Sequence, residues 1–117
     1  MAPEATWLAH LAAGRLMLQR DPATGRTVFP PRLRAPGSGA PLGDWVALSG
    51  LGTVHAVTVQ YARPPALPRA IVLVDLDEGG RMLSEVVEGA AEAVRIGDRV
   101  AAQILPDPPR VVFRPAP

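Results

Sequence analysis

Two histidines, His10 and His55, and the acids Asp75, Asp77 and Glu78 are the side chains of this 117-residue sequence best suited to proton transfer or metal binding. Neither histidine has a serine or an acid at motif spacing, and no H-x-x-x-H occurs. A histidine base needs an orienting partner, so His55, in a strand-like run, reads as a packed or surface residue. The three acids stand beside Gly79-Gly80 at a strand end, where solvated carboxylates are ordinary. No serine lies in G-x-S-x-G, which removes the nucleophile elbow. Gly37-Ser38-Gly39 and Gly50-Leu51-Gly52 do not extend to G-x-G-x-x-G, and the second lies within a strand instead of opening a helix. Cysteine is absent, which excludes disulfides and thiolate metal sites. No catalytic residue is assigned, and the pattern does not support an enzyme acting alone.

The elements that would position such residues are mostly β. The run Asp44–Tyr61, DWVALSGLGTVHAVTVQY, reads as one long bent strand. Its apolar side chains sit on even positions at Val46 and Leu48 and on odd ones at Val57, Val59 and Tyr61. Alternate residues face opposite sides, so the slip requires a break or a bulge, and Gly50 and Gly52 suit a bend. Ala70–Asp77, Arg81–Val87, Arg99–Leu105 and Arg110–Arg114 are four further strands, with a helical turn at Ala90–Val94. ARPPALPR (Ala62–Arg69) is a proline-stiffened connection, and Asp77-Glu78-Gly79-Gly80 a turn. The order β-β-β-α-β-β predicts a five-stranded OB-fold barrel.

Ahead of it, Pro3–Ala13 reads as a helix with Trp7, Leu8 and Leu11 on one stripe and Gly14 as its stop. Three turns are not stable alone, so the helix must dock, and the sequence favours docking on another subunit. Arg15–Arg20 and Arg26–Phe29, joined by DPATG, form a hairpin that Pro30-Pro31 ends, and LRAPGSGAPLG is a loop. The fold class is thus mainly β, with residues 1–43 as helix and hairpin and residues 44–117 as barrel.

Composition bounds the rest. Apolar residues make up 48%, ample for a core. Neither a secretory leader nor an apolar run of membrane-spanning length is present, and a soluble, cytoplasmic protein is expected. The net charge of +1 divides unevenly: residues 1–43 carry five Arg against Glu4 and Asp21, residues 44–117 seven Arg against nine acids. An anionic ligand would therefore favour the first third.

The succession GRLMLQR (Gly14–Arg20), VFPPR (Val28–Arg32), SGLGTVHAVTV (Ser49–Val59), VDLDEGGRMLS (Val74–Ser84), RIGDRV (Arg95–Val100) and VFRP (Val112–Pro115) resembles the "domain of unknown function 35" family. That resemblance implies an N-terminal helix, a rubredoxin-like zinc ribbon and an OB-fold. In the family, C-x-x-C-G precedes F-P-P-R and C-P-x-C follows it. Here the four ligand positions hold Asp21, Thr24, Ala35 and Ser38, so a metal-free, ribbon-like hairpin is expected, with no zinc and no other cofactor. The resemblance also implies a non-catalytic accessory subunit, in lipid metabolism, beside a thiolase-type or hotdog-fold enoyl-CoA hydratase partner. It would contribute to the interface and to acyl-CoA binding.

On that reading Trp7, Leu8, Leu11 and Phe29 are candidates for the partner interface. Arg32, Arg34, Arg63 and Arg69 are physically suited to CoA phosphates, although no family motif assigns them. The rival reading is a single-stranded nucleic-acid-binding OB module. It is disfavoured by the net acidic barrel segment, with only Trp45, Tyr61 and Phe113 to stack bases. A homo-oligomeric remnant of a zinc protein is the third reading.

Overall fold

The computed structural model describes residues 2–42 and 44–117. Gly43, which closes both the expected loop and the expected first domain, lies outside the described residues.

Helix α1 (Pro3–Ala12) begins with proline in its first turn, where no intrahelical partner is needed, and carries Glu4 there against the positive end of the helix. It stops one residue before the predicted Ala13, in a Schellman motif. The Gly14 N–H donates to the Leu11 carbonyl at 2.9 Å and the Arg15 N–H to the His10 carbonyl at 2.8 Å. The expectation of docking on another subunit is corrected. Trp7 and Leu11 are buried within the chain's own main core, and Trp7 meets Phe29 edge-on at 5.7 Å. A ten-residue helix is marginal in water, and these two side chains hold it down.

A three-stranded antiparallel sheet follows, built from β1 (Met17–Arg20), β2 (Thr27–Val28) and β3 (Trp45–Ala47) in the order β2-β1-β3. This corrects the single long strand Asp44–Tyr61. Its first part, β3, leaves the barrel and pairs with β1, Leu18 opposite Val46. The chain turns at Gly50 (φ +83) before β4 (Leu51–Gln60) begins. A second irregularity lies inside β4, where the register with its neighbour shifts between Val54 and Ala56. The phase slip in the sequence thus has two sources, a break and a bulge.

Strands β4, β5 (Arg69–Leu76), β6 (Arg81–Val86), β7 (Arg99–Leu105) and β8 (Arg110–Pro115) close a barrel in the order β4-β5-β6-β8-β7. This is the OB-fold arrangement. The predicted helix at Ala90–Val94 is a single 3-10 turn, Ala91–Ala93. β6 and β8 run parallel and pair only at Val86 and Phe113, and the Ser84 hydroxyl bridges the seam by donating to the Val111 carbonyl at 2.6 Å.

One core cluster runs from Trp7 and Leu11 through Leu18 into Val54, Val74 and Phe113, so helix, ribbon and barrel share an interior. Polar contacts repeat the connection. The Thr27 hydroxyl donates to the Gly79 carbonyl at 2.7 Å, and the Thr27 N–H to the Glu78 carbonyl at 3.0 Å. The Glu78 carboxylate accepts the Ser49 N–H at 2.8 Å.

Candidate functional site

Two knuckles, 21–26 and 35–40, share one hydrogen-bond pattern. In the first, the Asp21 N–H donates to the Arg26 carbonyl at 2.8 Å and the Asp21 carbonyl accepts the Gly25 N–H at 2.8 Å. In the second, the Ala35 N–H donates to the Ala40 carbonyl at 2.9 Å and the Ala35 carbonyl accepts the Gly39 N–H at 3.0 Å. Each ring closes on a glycine in the left-handed region, Gly25 at φ +75 and Gly39 at φ +71, which a residue bearing a Cβ adopts only with strain. Asp21 and Ala35 are each 4% exposed, while Thr24 and Ser38 face solvent.

Their side chains are already engaged. Asp21 accepts the Ala23 N–H on Oδ1 at 2.8 Å and the Ser38 hydroxyl on Oδ2 at 3.4 Å. Thr24 Oγ1 accepts the Arg26 N–H at 3.2 Å, and Ser38 Oγ the Ala40 N–H at 3.3 Å. Ala35 packs in a small apolar cluster with Val28 and Leu42.

The four arginines proposed for anion binding do not converge. Arg32 is anchored through its backbone, its carbonyl accepting from Gln19 Nε2 at 2.7 Å and its N–H donating to Gln19 Oε1 at 2.9 Å. Its side chain is exposed. Arg34 donates to the Gly39 carbonyl at 3.0 Å. Arg69 is bidentate to Glu85, both contacts at 3.1 Å, and this partner raises its pKa, first by hydrogen bonding and then by charge. Arg69 opens β5, at the end away from the β5–β6 turn, where the Gly79 carbonyl meets Thr27 of the ribbon. Arg63 lies in the exposed proline connection beyond that far end. Arg32 and Arg34 stand two residues apart in the exposed chain that leads into the second knuckle.

A charged cluster on the barrel face was not anticipated. Asp75 and Arg81 are opposite each other in the β5–β6 hairpin and meet at 2.7 Å. His55 Nδ1 lies 3.4 Å from Asp75 and 3.4 Å from Arg81. One ring nitrogen either donates to the acid or accepts from the guanidinium, so His55 serves an ion cluster, with no hydroxyl nucleophile among its partners within the described residues. The Arg81 hydrogen bond holds the Asp75 carboxyl below its ordinary range against the opposing pull of burial. Asp77 is held low in the same way by Arg99, which reaches both carboxylate oxygens at 2.7 Å. The run DLDEGGR carries part of this information: its tight hairpin places Asp75 opposite Arg81, while the Asp77–Arg99 pair depends on a strand farther along the chain.

Of the interface candidates, Trp7 and Leu11 are buried and Phe29 is partly buried against the main core, while Leu8 is 44% exposed. Trp7 and Phe29 contribute to the wall of an open cleft of about 360 Å³ with Glu4, Pro30 and Pro31. Leu33, between Arg32 and Arg34, is 74% exposed. Of the aromatics considered for base stacking, Phe113 is fully buried, Trp45 sits in the ribbon sheet against His10 at 5.4 Å, and Tyr61 is exposed.

Residues 45–105 match the ChsH2 C-terminal OB-fold domain, and residues 8–40 match the ChsH2 rubredoxin-like zinc ribbon domain. The chain belongs to the ChsH2, or DUF35, family. Among solved structures, an Ltp2-ChsH2(DUF35) aldolase is similar at a TM-score of 0.80 and 30% identity, with 98% of this chain and 95% of that one covered. A DUF35 protein of unknown function from Sulfolobus solfataricus has a TM-score of 0.71 over 96% of this chain and 84% of its own, and at 19% identity it shows the fold alone. A probable enoyl-CoA hydratase alpha subunit of Thermomonospora curvata is 33% identical over 118 residues. That match takes in 96% of this chain but 37% of the relative, so the chain spans just over a third of that protein's length.

A ChsH2 zinc ribbon calls for four donors around the ion. This chain does not fit one. Ala35 has no donor atom, both hydroxyls already accept backbone N–H groups, and both oxygens of Asp21 are hydrogen-bonded. Among the described residues no group of three or more His, Cys, Asp or Glu is placed to hold a metal. No helix among them is long and apolar enough to cross a membrane.

Proposed function

We propose that this chain is a non-catalytic accessory subunit of an acyl-CoA enzyme, seated beside a thiolase-type aldolase or a hotdog-fold enoyl-CoA hydratase. The observation that carries this reading is its likeness, along nearly the whole of both chains, to an aldolase named for two components, Ltp2 and ChsH2. The hydratase alpha subunit supports the same reading from another enzyme class, its matched part sharing a chain with a longer remainder. On the surface, Leu8 and the rim of the Trp7–Phe29 cleft are the proposed contact with the partner, with Trp7 and Leu11 holding the helix that presents Leu8. Arg32 and Arg34 are the proposed meeting point with CoA phosphates, since a guanidinium pairs with phosphate in a fork. The reading places the protein in the cytoplasm, where it would act within lipid metabolism.

The test is affinity capture of the tagged protein from its native lysate, with quantitative mass spectrometry. A thiolase-type or hydratase-type subunit in near-equal amount is expected. Leu8→Glu should abolish that capture while leaving the melting temperature unchanged, because Leu8 is not part of the buried core. Recovery of nucleic acid, or of the protein alone, overturns the proposal.

A further inference from the structure

In a thiolate ribbon the ion does one structural job, tying two loops whose own contacts are too few to hold them together. Both loops in this chain keep the backbone that such a tie requires. The same pair of hydrogen bonds closes residues 21–26 and residues 35–40, with a left-handed glycine at the same place in each. What joins the loops is different.

Asp21 is the residue that reaches across: one carboxylate oxygen caps its own loop and the other receives Ser38 from the opposite loop. A carboxylate at 4% exposure is costly unless bonded, so these contacts are a condition of its being there. Ala35 puts a methyl group where a ligand would be and packs it on Val28 and Leu42. Gln19, 2% exposed, binds both backbone groups of Arg32 through its amide and fixes the chain between the loops to β1.

We propose that Asp21, Ala35 and Gln19 form a metal-independent clasp that replaces the zinc of the ribbon, and that the loops around it retain the shape of a tetrathiolate cradle. The clasp is local to the ribbon, and the proposal stands whether or not the chain serves an enzyme partner.

Thermal unfolding of the purified full-length protein tests it. The melting temperature is expected to be the same with added zinc, with a chelator and with neither. Asp21→Ala should lower it by several degrees and Ser38→Ala by less, with the double variant falling by less than the sum of the two, because they share one contact. The four-fold variant Asp21→Cys, Thr24→Cys, Ala35→Cys, Ser38→Cys should bind one cobalt per chain with thiolate charge-transfer and tetrahedral d–d absorption, and should then melt lower on chelation. Stoichiometric zinc in the wild-type protein, a melting temperature that follows zinc, or an unchanged Asp21→Ala variant overturns the clasp. A folded four-fold variant without a tetrahedral cobalt spectrum overturns the cradle. Should that variant not fold, the metal and Asp21 measurements decide the clasp on their own.

Discussion

Asp77 and Arg99 form a fork of two contacts at 2.7 Å, and Arg99 extends it to the Thr53 hydroxyl at 3.1 Å. Both side chains are partly in water, so the pair adds little net stability. Its signature lies in pH. The Asp77 carboxyl ionises near 3.8 when unconstrained and is held below that in the fold by Arg99, as Asp75 is by Arg81. A folded value below the unfolded one gives stability that is present above about pH 4 and is lost as pH falls through the folded value. Urea midpoints should therefore drop as pH falls below about 4, less steeply in 1 M salt. Asp77→Asn should flatten part of that decline, and a variant that declines as steeply as the parent contradicts the assignment. Gly52 offers a different test. A Cβ there would stand 2.5 Å from Val74 Cγ1 and 2.8 Å from the Asp75 carbonyl oxygen, which is strand backbone. Gly52→Ala should cost about 1–3 kcal/mol by overpacking, read from denaturant unfolding.

Among the elements, the β5–β6 turn is the one on which two sheets depend. Its Gly79 carbonyl accepts the buried Thr27 hydroxyl, and a Cβ at Gly79 would lie 2.8 Å from Arg26 Cβ. Thr27→Val keeps the volume and deletes the donor, leaving a buried carbonyl short of a partner, so it should cost about 1–3 kcal/mol. Amide exchange should quicken in β1 and β2 more than in β4 and β5. Quickening confined to the barrel would show that the bond does not couple the two sheets. The barrel strands were readable because alternation, Gly-Gly at residues 79–80 and the prolines at 106–109 mark where each starts and stops. Alternation alone does not place β3, since Val46 and Leu48 alternate in the same way whichever neighbour they pair with, and the neighbour is β1, far back in the chain, with Leu18 opposite Val46. The site shows the same division. Replacement of the four ligand positions was visible residue by residue. The engagement of Arg69 by Glu85 depends on cross-strand register, and the embrace of Arg32 by Gln19 on a loop path, neither of which has a local pattern.

At the scale of the molecule, the radius of gyration is 15.0 Å and the extents are 46 × 30 × 24 Å. A compact chain of this length would have a radius near 13 Å, so the ribbon extends the barrel along one axis. The shared core nonetheless joins the two sheets, so they are expected to unfold together, and the tryptophans allow this to be measured. Trp7 and Trp45 are the chain's two tryptophans, one in the helix and one in the ribbon sheet, while the longer strands are in the barrel. Fluorescence and far-UV circular dichroism should therefore give the same urea midpoint, and a fluorescence transition that comes first would mean the ribbon opens by itself. The knuckles carry one more consequence, for chemical stress. Peroxide and hypochlorite attack metal-bound sulfur, converting it to oxyacids or disulfides and releasing the ion. Aspartate, threonine, alanine and serine give these oxidants nothing to react with, so the two knuckles should keep their shape under an oxidative burst that would open a thiolate site.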